Sequence, residues 1–339
     1  MIRVAMLSFW HVHAKDYARQ AELNPHTQIV AVWDEEPERG RQKAGEYGVP
    51  FYEDLQELLA KPDIDAVIVD TPTTMHPEVL IAAAKAGKHI FTEKVVATTT
   101  KECNEILSAV TAAQVKLTVS LPRASTGFTD AILRSIREGY LGTVTTVRIR
   151  LAHNGALPTE KHPNGALPSY FFDLAQCGGG ALMDLGCHPM YLTRLFLGLP
   201  ESVSASFGYI TGREVEDSAV AILRYPSGML GIVEAGFVNS YSQFDIELQG
   251  TEGSMKCSRT DNTVYIRSSK LGGEATGWQA ISELRENIPT PFEQWVSHIQ
   301  HGTTATENIG LALDLTRLME ASTISARTGA AVQLRDLIE

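Results

Sequence analysis

The sequence predicts an α/β protein built in two parts: an N-terminal doubly wound parallel sheet, then a C-terminal α+β domain with an open, mainly antiparallel sheet. Three observations predict it. Short, β-branched apolar runs alternate with helical stretches through the first third of the chain. Beyond about residue 122 the runs alternate apolar and polar residues instead. The chain then closes on a long, mostly apolar helical stretch at 306–329. The change of texture sets the domains at 1–121 and 122–339.

In the first domain "IRVAML" (2–7) is a strand and "AKDYARQAEL" (14–23) a helix. "TQIVAVWD" (27–34) is a strand ending on an acid. "PERGRQKAGEYG" (37–48) has Pro near its start and Gly at its end, as helices prefer. A short helix follows at 54–61, then a strand, "DAVIVDTP" (65–72), stopped by Pro. Helices at 77–87 and 100–114 and strands at 88–94 and 115–121 complete the set. Apolar strands alternating with helices imply parallel strands joined by crossover helices, which a doubly wound sheet closes naturally. Another layered α/β arrangement fits the same periodicity, which does not fix strand order.

In the second domain, runs such as "VTTVRIRLAH", "DSAVAILRY" and "GMLGIVEAGFV" are strands. In "FDIELQG", Phe244, Ile246 and Leu248 face one way, and Asp245, Glu247 and Gln249 the other. That pattern belongs to a sheet with one wet face. A helix is predicted over 180–198, and the long 306–329 helix must be largely buried. "NGALP" occurs twice within 154–168, each copy rich in turn residues, and the stretch reads as a loop.

The 339 residues carry a net charge of −11 with no Lys/Arg-rich run, which argues against a nucleic-acid partner. The four cysteines, Cys103, Cys177, Cys187 and Cys257, form no C-x-x-C pair, so zinc is not expected. No stretch reaches membrane-spanning length, and the opening "MIRVAMLSF" carries no cationic leader. A reduced, cytoplasmic setting and no membrane partner are the expectation.

Candidate chemistry clusters at predicted strand ends. Asp34 closes the second strand, where an acid accepts from ribose hydroxyls in a dinucleotide fold; it equally suits the start of a turn. "DTPTTMH" (70–76) offers hydroxyls and His76 to a ligand, or simply caps the next helix. "TEKVV" places Glu93 and Lys94 at a strand end, as a site facing a cleft or as a solvated pair. "GGGALMDLGCH" (178–188) sets Asp184 and His188 four apart on a helix, hence on one face. A His beside a carboxylate is a general base poised near neutral pH, or a packed helical pair. The glycines before it permit a tight turn or close approach by a ligand.

Together these residues resemble the glucose–fructose oxidoreductase/inositol dehydrogenase (Gfo/Idh/MocA) family, nearly end to end. The likeness runs through "AVWDEEPERG", "DIDAVIVDTPTTMHPEVLIAAAKAGKHIFTEK", "IREGYLGTV", "GGGALMDLGCH", "VEDSAVAILRYPSGMLG", "IELQGTEGS" and "EASTISARTGAAVQL". The resemblance implies an N-terminal Rossmann domain and a C-terminal domain whose open sheet joins a homo-oligomer, a dimer or tetramer. It implies NAD or NADP and a sugar, cyclitol or related polyol as substrate; Asp34 favours NAD over NADP. The family's Glu-Lys-Pro corresponds to Glu93-Lys94-Val95 and its Asp-x-x-x-His to Asp184 and His188. Lys94, His188 and Asp184 are then the catalytic candidates. Ser8, Phe9, Trp10, His11, Val12, Asp34, Arg39, Thr71, Pro72, Thr73, His76, Glu93 and Lys94 would line the cofactor. Arg123, His153, Asn154, Asp184, His188 and Tyr191 would line the substrate.

Three departures stand out. The family's G-x-G-x-x-G reads Ser8-Phe9-Trp10-His11-Val12-His13, the proline after Glu-Lys is Val95, and an acid common after the family's His is Tyr191. The turn still binds pyrophosphate through helix amides, or the site is repurposed and the chain is a non-catalytic sugar or dinucleotide sensor. A metal held by His11, His13 and His76 is not expected, because the sequence puts no carboxylate beside them.

Overall fold

The computed structural model describes residues 1–241, 244–258, 263–271, 277–282, 284–286 and 288–337. They form two compact units, residues 1–121 with 289–313, and residues 122–288 with 314–337.

In the first unit six parallel strands alternate with helices: β1 (Ile2–Leu7), α1 (Ala14–Leu23), β2 (Thr27–Trp33), α2 (Pro37–Tyr47), β3 (Phe51–Tyr52), α3 (Leu55–Leu59), β4 (Ala66–Val69), α4 (His76–Lys85), β5 (His89–Thr92), α5 (Thr100–Ala113) and β6 (Leu117–Val119). The strand order is β3-β2-β1-β4-β5-β6. Every residue of β4 is buried, as a parallel strand covered on both faces requires. Local signals set the helix ends. Pro37 opens α2, and Gly48 closes it at φ 67°, a conformation that suits glycine. Thr99 and Glu102 form a reciprocal capping box on α5. The two-residue β3 is too short to show a pattern in the sequence.

The second unit holds α6 (Gly127–Arg137), β7 (Val144–Ala152), α7 (Leu174–Cys177), α8 (Cys187–Leu197), β8 (Ser202–Gly208), β9 (Ser218–Arg224), β10 (Leu230–Gly236), β11 (Asp245–Gly250), β12 (Gly253–Ser258), β13 (Thr263–Ser268) and β14 (Gln279–Ile281). Its nine-stranded sheet runs β14-β13-β12-β11-β7-β10-β9-β8-β15, where β15 is Val332–Gln333. The β7–β10 pair is parallel, and the other pairs described are antiparallel. In β11 Ile246 and Leu248 are buried while Glu247 and Gln249 are exposed, the alternation the sequence carries. The repeated NGALP stretch is a loop; the Leu167 N–H of the second copy donates to the Gly155 carbonyl of the first at 3.0 Å.

The sequence places 122–339 in one continuous second domain, whereas residues 289–313 belong to the first unit. Helix α9 (Pro291–His301) gives the physical reason. Phe292 and Trp295 are buried against Phe91 of β5, with ring centroids 5.5 and 5.7 Å away. The Trp295 indole also donates to the Lys116 carbonyl at 3.3 Å. The long apolar stretch is α10 (Thr306–Thr328).

Candidate functional site

In the first unit four strands deliver their following loops to one edge of the sheet. The C-terminal ends of β1, β2, β4 and β5 lead into residues 8–12, Asp34, residues 70–73, and Glu93–Lys94. Strand order reverses between β1 and β4, where an open α/β sheet leaves a crevice for a ligand. Across that point the His11 N–H donates to the Asp70 carbonyl at 3.1 Å.

The turn after β1 keeps a glycine-type backbone without glycine. Ser8 sits at φ 76°, and its hydroxyl accepts the Trp10 N–H at 3.0 Å. Phe9 contributes only its backbone here. Its ring joins the apolar core and stacks on Tyr47 at 5.9 Å, which leaves its backbone to face a ligand. An apolar ring at the end of a buried strand gains more from burial than from facing a polar ligand. Trp10 is buried, its ring centroid 6.0 Å from that of His11, and Val12 is exposed.

Asp34 is fully buried and works as a hub for this loop edge. It accepts the Phe9 N–H at 2.9 Å, the Glu36 N–H at 2.8 Å, and Arg39 Nε and Nη2 at 2.9 and 2.6 Å. Arg39 also pairs with Glu35 and Glu36, so three carboxylates surround one guanidinium. Burial pushes the Glu35 carboxyl up, and the neighbouring Asp34 charge adds to it.

After β4, Pro72 leads into a short 3-10 turn at Thr73–Met75. The Thr71 hydroxyl and His76 Nε2 are buried with no hydrogen-bond partner among the described residues. His76 Nδ1 lies 2.8 Å from the Val95 carbonyl, and burial holds the imidazole below its ordinary pKa. Buried polar groups without partners mark where a polar ligand completes the bonding. Helix α1 begins at the same edge with no side-chain cap. The left-handed Ser8, the uncapped helix and these orphaned groups fit a dinucleotide.

At the end of β5 the Glu93 carboxylate is fully buried. It accepts the Tyr17 hydroxyl and, at 2.7 Å, the Lys94 N–H. His11 Nδ1 stands 3.4 Å from Glu93 Oε1. Burial pushes this carboxyl up, but the charges of His11, Lys94 and His13 and the Tyr17 hydrogen bond outweigh it, holding it at about 2. Against the expectation of no carboxylate nearby, Asp16 stands 3.1 Å from His13, and the fold brings Glu93 to His11 from a strand end some eighty residues on. Lys94 is buried, and the Lys94–Val95 peptide is cis. Sequence reasoning missed Tyr17, Asp70 and Ser120, whose hydroxyl lies 2.7 Å from that of Tyr17. Asp70, an acid closing the otherwise apolar "AVIVD", carried the one signal that could have found it.

The second candidate cluster lies wholly in the second unit. Gly178 takes φ 72°, and a Cβ on Gly180 would lie 2.0 Å from the Glu216 carbonyl oxygen. The close approach is therefore by the protein's own backbone. The buried Glu216 carboxylate accepts the N–H groups of Gly180 and Leu182, each at 2.9 Å. The sequence predicts one helix over 180–198; the structure instead has a π turn at Leu182–Gly186, with α8 starting at Cys187. Asp184 sits in the π turn and His188 in the first turn of α8, so α-helical spacing does not describe the pair.

His188 is buried, its Nδ1 3.1 Å from the Tyr191 hydroxyl, which in turn accepts the Arg123 N–H at 3.0 Å. The Arg123 guanidinium lies over the Phe244 ring at 4.2 Å. His153 stacks on Phe237 at 5.3 Å, and its Nδ1 accepts the Gly155 N–H at 3.0 Å. Burial lowers the His153 pKa while the Asp184 charge pulls it back, which places the two within electrostatic reach. Asn154 is exposed.

A six-stranded parallel sheet in this order, with polar groups at its switch point, is the architecture of a dinucleotide-binding domain. Residues 4–121 match the oxidoreductase family with an NAD-binding Rossmann fold, and residues 130–256 match the GFO/IDH/MocA C-terminal domain. The chain belongs to the Gfo/Idh/MocA family of NAD(P)-dependent oxidoreductases. It is 29% identical over 356 residues to scyllo-inositol 2-dehydrogenase (NAD(+)) of Bacillus subtilis, covering 98% of this chain and 96% of that one. It is 29% identical over 232 residues to 1,5-anhydro-D-fructose reductase of Ensifer adhaerens, covering 67% of each. Among solved structures, levoglucosan dehydrogenase in complex with NADH and levoglucosan has the same fold. That match has a TM-score of 0.83 at 21% identity and covers 98% of this chain and 99% of that one. Among the described residues no helix is long and apolar enough to cross a membrane.

Proposed function

We propose that this enzyme is an NAD-dependent dehydrogenase or reductase acting on a secondary alcohol of a sugar, cyclitol or related polyol. The observation that carries the reading is Lys94, held at the end of β5 by a buried Glu93 whose backbone and side-chain contacts fix the segment. The named relatives, which act on an inositol and an anhydrosugar, support the substrate class. The dinucleotide would be held by the amides of the Ser8–Val12 turn, by Thr71, Thr73 and His76, and at its adenosine end by Asp34 with Arg39. Asp34, Glu35 and Glu36 outnumber Arg39 there, which favours NAD over the 2′-phosphate of NADP. When bound, the nicotinamide supplies the hydride-accepting chemistry.

Lys94 stabilises negative charge developing on the substrate oxygen, and His188 takes its proton. Proton uptake at Nε2 requires that His188 carry its own proton on Nδ1, donated to the Tyr191 hydroxyl. That oxygen already accepts the Arg123 N–H and has a second lone pair to offer. Asp184, with Arg123, His153 and Asn154, orients the polyol. NADH formation across inositols, aldoses and anhydrosugars tests the reading. His188→Ala and Lys94→Ala should each lower kcat about 100-fold or more while leaving NAD-induced thermal stabilisation intact. Wild-type kcat in either variant removes that residue from the mechanism. Failure of NAD and NADP alike to stabilise the wild type would favour a non-catalytic sensor.

A homo-oligomer through the second unit's sheet is supported by Val220, Ile222 and Leu230, exposed apolar side chains on neighbouring strands β9 and β10. Ile222→Glu should lower the mass measured by light scattering to that of one chain; a wild-type mass of one chain would refute the oligomer.

A further inference from the structure

We propose that His11, His13 and Glu93 form a binding site for a divalent transition-metal ion of the zinc class. The site shares His11 and Glu93 with the proposed dinucleotide edge, and its test reads metal binding rather than oxidoreductase activity. One donor atom from each of the three lies within 4.8 Å of the others. His11 Nδ1 lies 3.4 Å from Glu93 Oε1, near the edge of a tetrahedron about a zinc ion, about 3.3 Å for bonds of the usual length; it now accepts the His13 N–H at 3.3 Å and would exchange that hydrogen bond for the metal. Closing the third vertex falls to His13, whose side chain is exposed and can rotate. The donor set, two imidazoles and a carboxylate, suits zinc, cobalt or iron better than magnesium or calcium.

Two further observations point to a cation. His13 Nδ1 lies 3.1 Å from Asp16 Oδ2, an arrangement that leaves Nε2 to bind a metal while the carboxylate orients the ring. Glu93 is likewise pre-positioned, by the Tyr17 hydroxyl and the Lys94 N–H. Asp70 is a second fully buried acid, and neither of its carboxylate oxygens has a hydrogen-bond partner among the described residues. Buried carboxylates with incomplete partners call for positive charge nearby. Three protein ligands would leave one position open for an oxygen donor.

The test uses untagged full-length protein, dialysed against chelator and titrated with Co2+ and then Zn2+. One equivalent of Co2+ should give the visible absorption of a four- or five-coordinate site, and Zn2+ should displace it. His13→Ala and Glu93→Gln should each weaken binding by about 100-fold, and Asp16→Asn by about 10-fold. The exposed His26→Ala should change nothing. His13→Ala removes an exposed side chain and will fold, so it decides the matter if Glu93→Gln does not. Absence of the Co2+ spectrum, or undiminished affinity in His13→Ala, overturns the site.

Discussion

Glu93 shows at the scale of one residue how neighbours reverse the effect of burial. Burial alone would raise its carboxyl, yet the cationic side chains around it hold it at about 2, against 4.5 for a free glutamate. A folded pKa below the unfolded one means stability that is fully present above about pH 4.5 and lost as pH falls toward 2. The span corresponds to at most about 3 kcal/mol. Urea unfolding of wild type and Glu93→Gln should therefore differ most near neutral pH and converge only as the pH falls to about 2. Parallel stability profiles in acid would show that His11 and Lys94 do not hold the carboxylate. Ser8 makes the complementary point. The sequence shows a glycine motif lost, and the structure shows its backbone shape retained at φ 76°, anchored by the Trp10 N–H.

Among the elements, the turn into α8 depends most on shape. A Cβ at Gly180 would overlap the Glu216 carbonyl, whereas a Cβ at Gly310 in α10 would meet nothing within 4 Å. Gly180→Ala should cost about 3 kcal/mol or more through forced backbone movement. Gly310→Ala, inside a helix with free space, should be neutral or stabilise by up to about 1 kcal/mol. Thermal denaturation of the two variants checks the contrast, and equal effects would mean that the turn can relax. The glycines were conspicuous in the sequence, but their reason lay in Glu216, 36 residues away along the chain. The π turn was invisible for a related reason. Its apolar pattern continues into α8, and only the backbone pairing distinguishes the two helical forms.

For the whole molecule, the chain's path matters more than its pattern. The parallel sheet of the first unit was legible from alternating strands and helices, but α9 was not assigned to it. Phe292, Trp295 and Val296 fill the core beside Phe91, each at most 3% exposed. A fragment ending at residue 121 would lose all three, at about 1.5–3 kcal/mol of burial each. That is comparable with a domain's entire stability. Calorimetry of the fragment should show no cooperative transition; a sharp transition would mean that residues 1–121 fold without α9.

By itself the sequence determined the fold class, the strand-end positions of Asp34, Glu93 and Lys94, and the family, because these are encoded in local periodicity and in short ordered motifs. Tertiary structure decided what those residues touch. It turned Phe9 into the core, assigned Asp34 to Arg39 and the turn amides, and placed Tyr191 between Arg123 and His188. It also brought Glu93 to His11. The physical reason is range. Periodicity reports which face of an element meets the core, whereas burial, hydrogen bonding and charge depend on partners that only sheet order and chain crossover bring together.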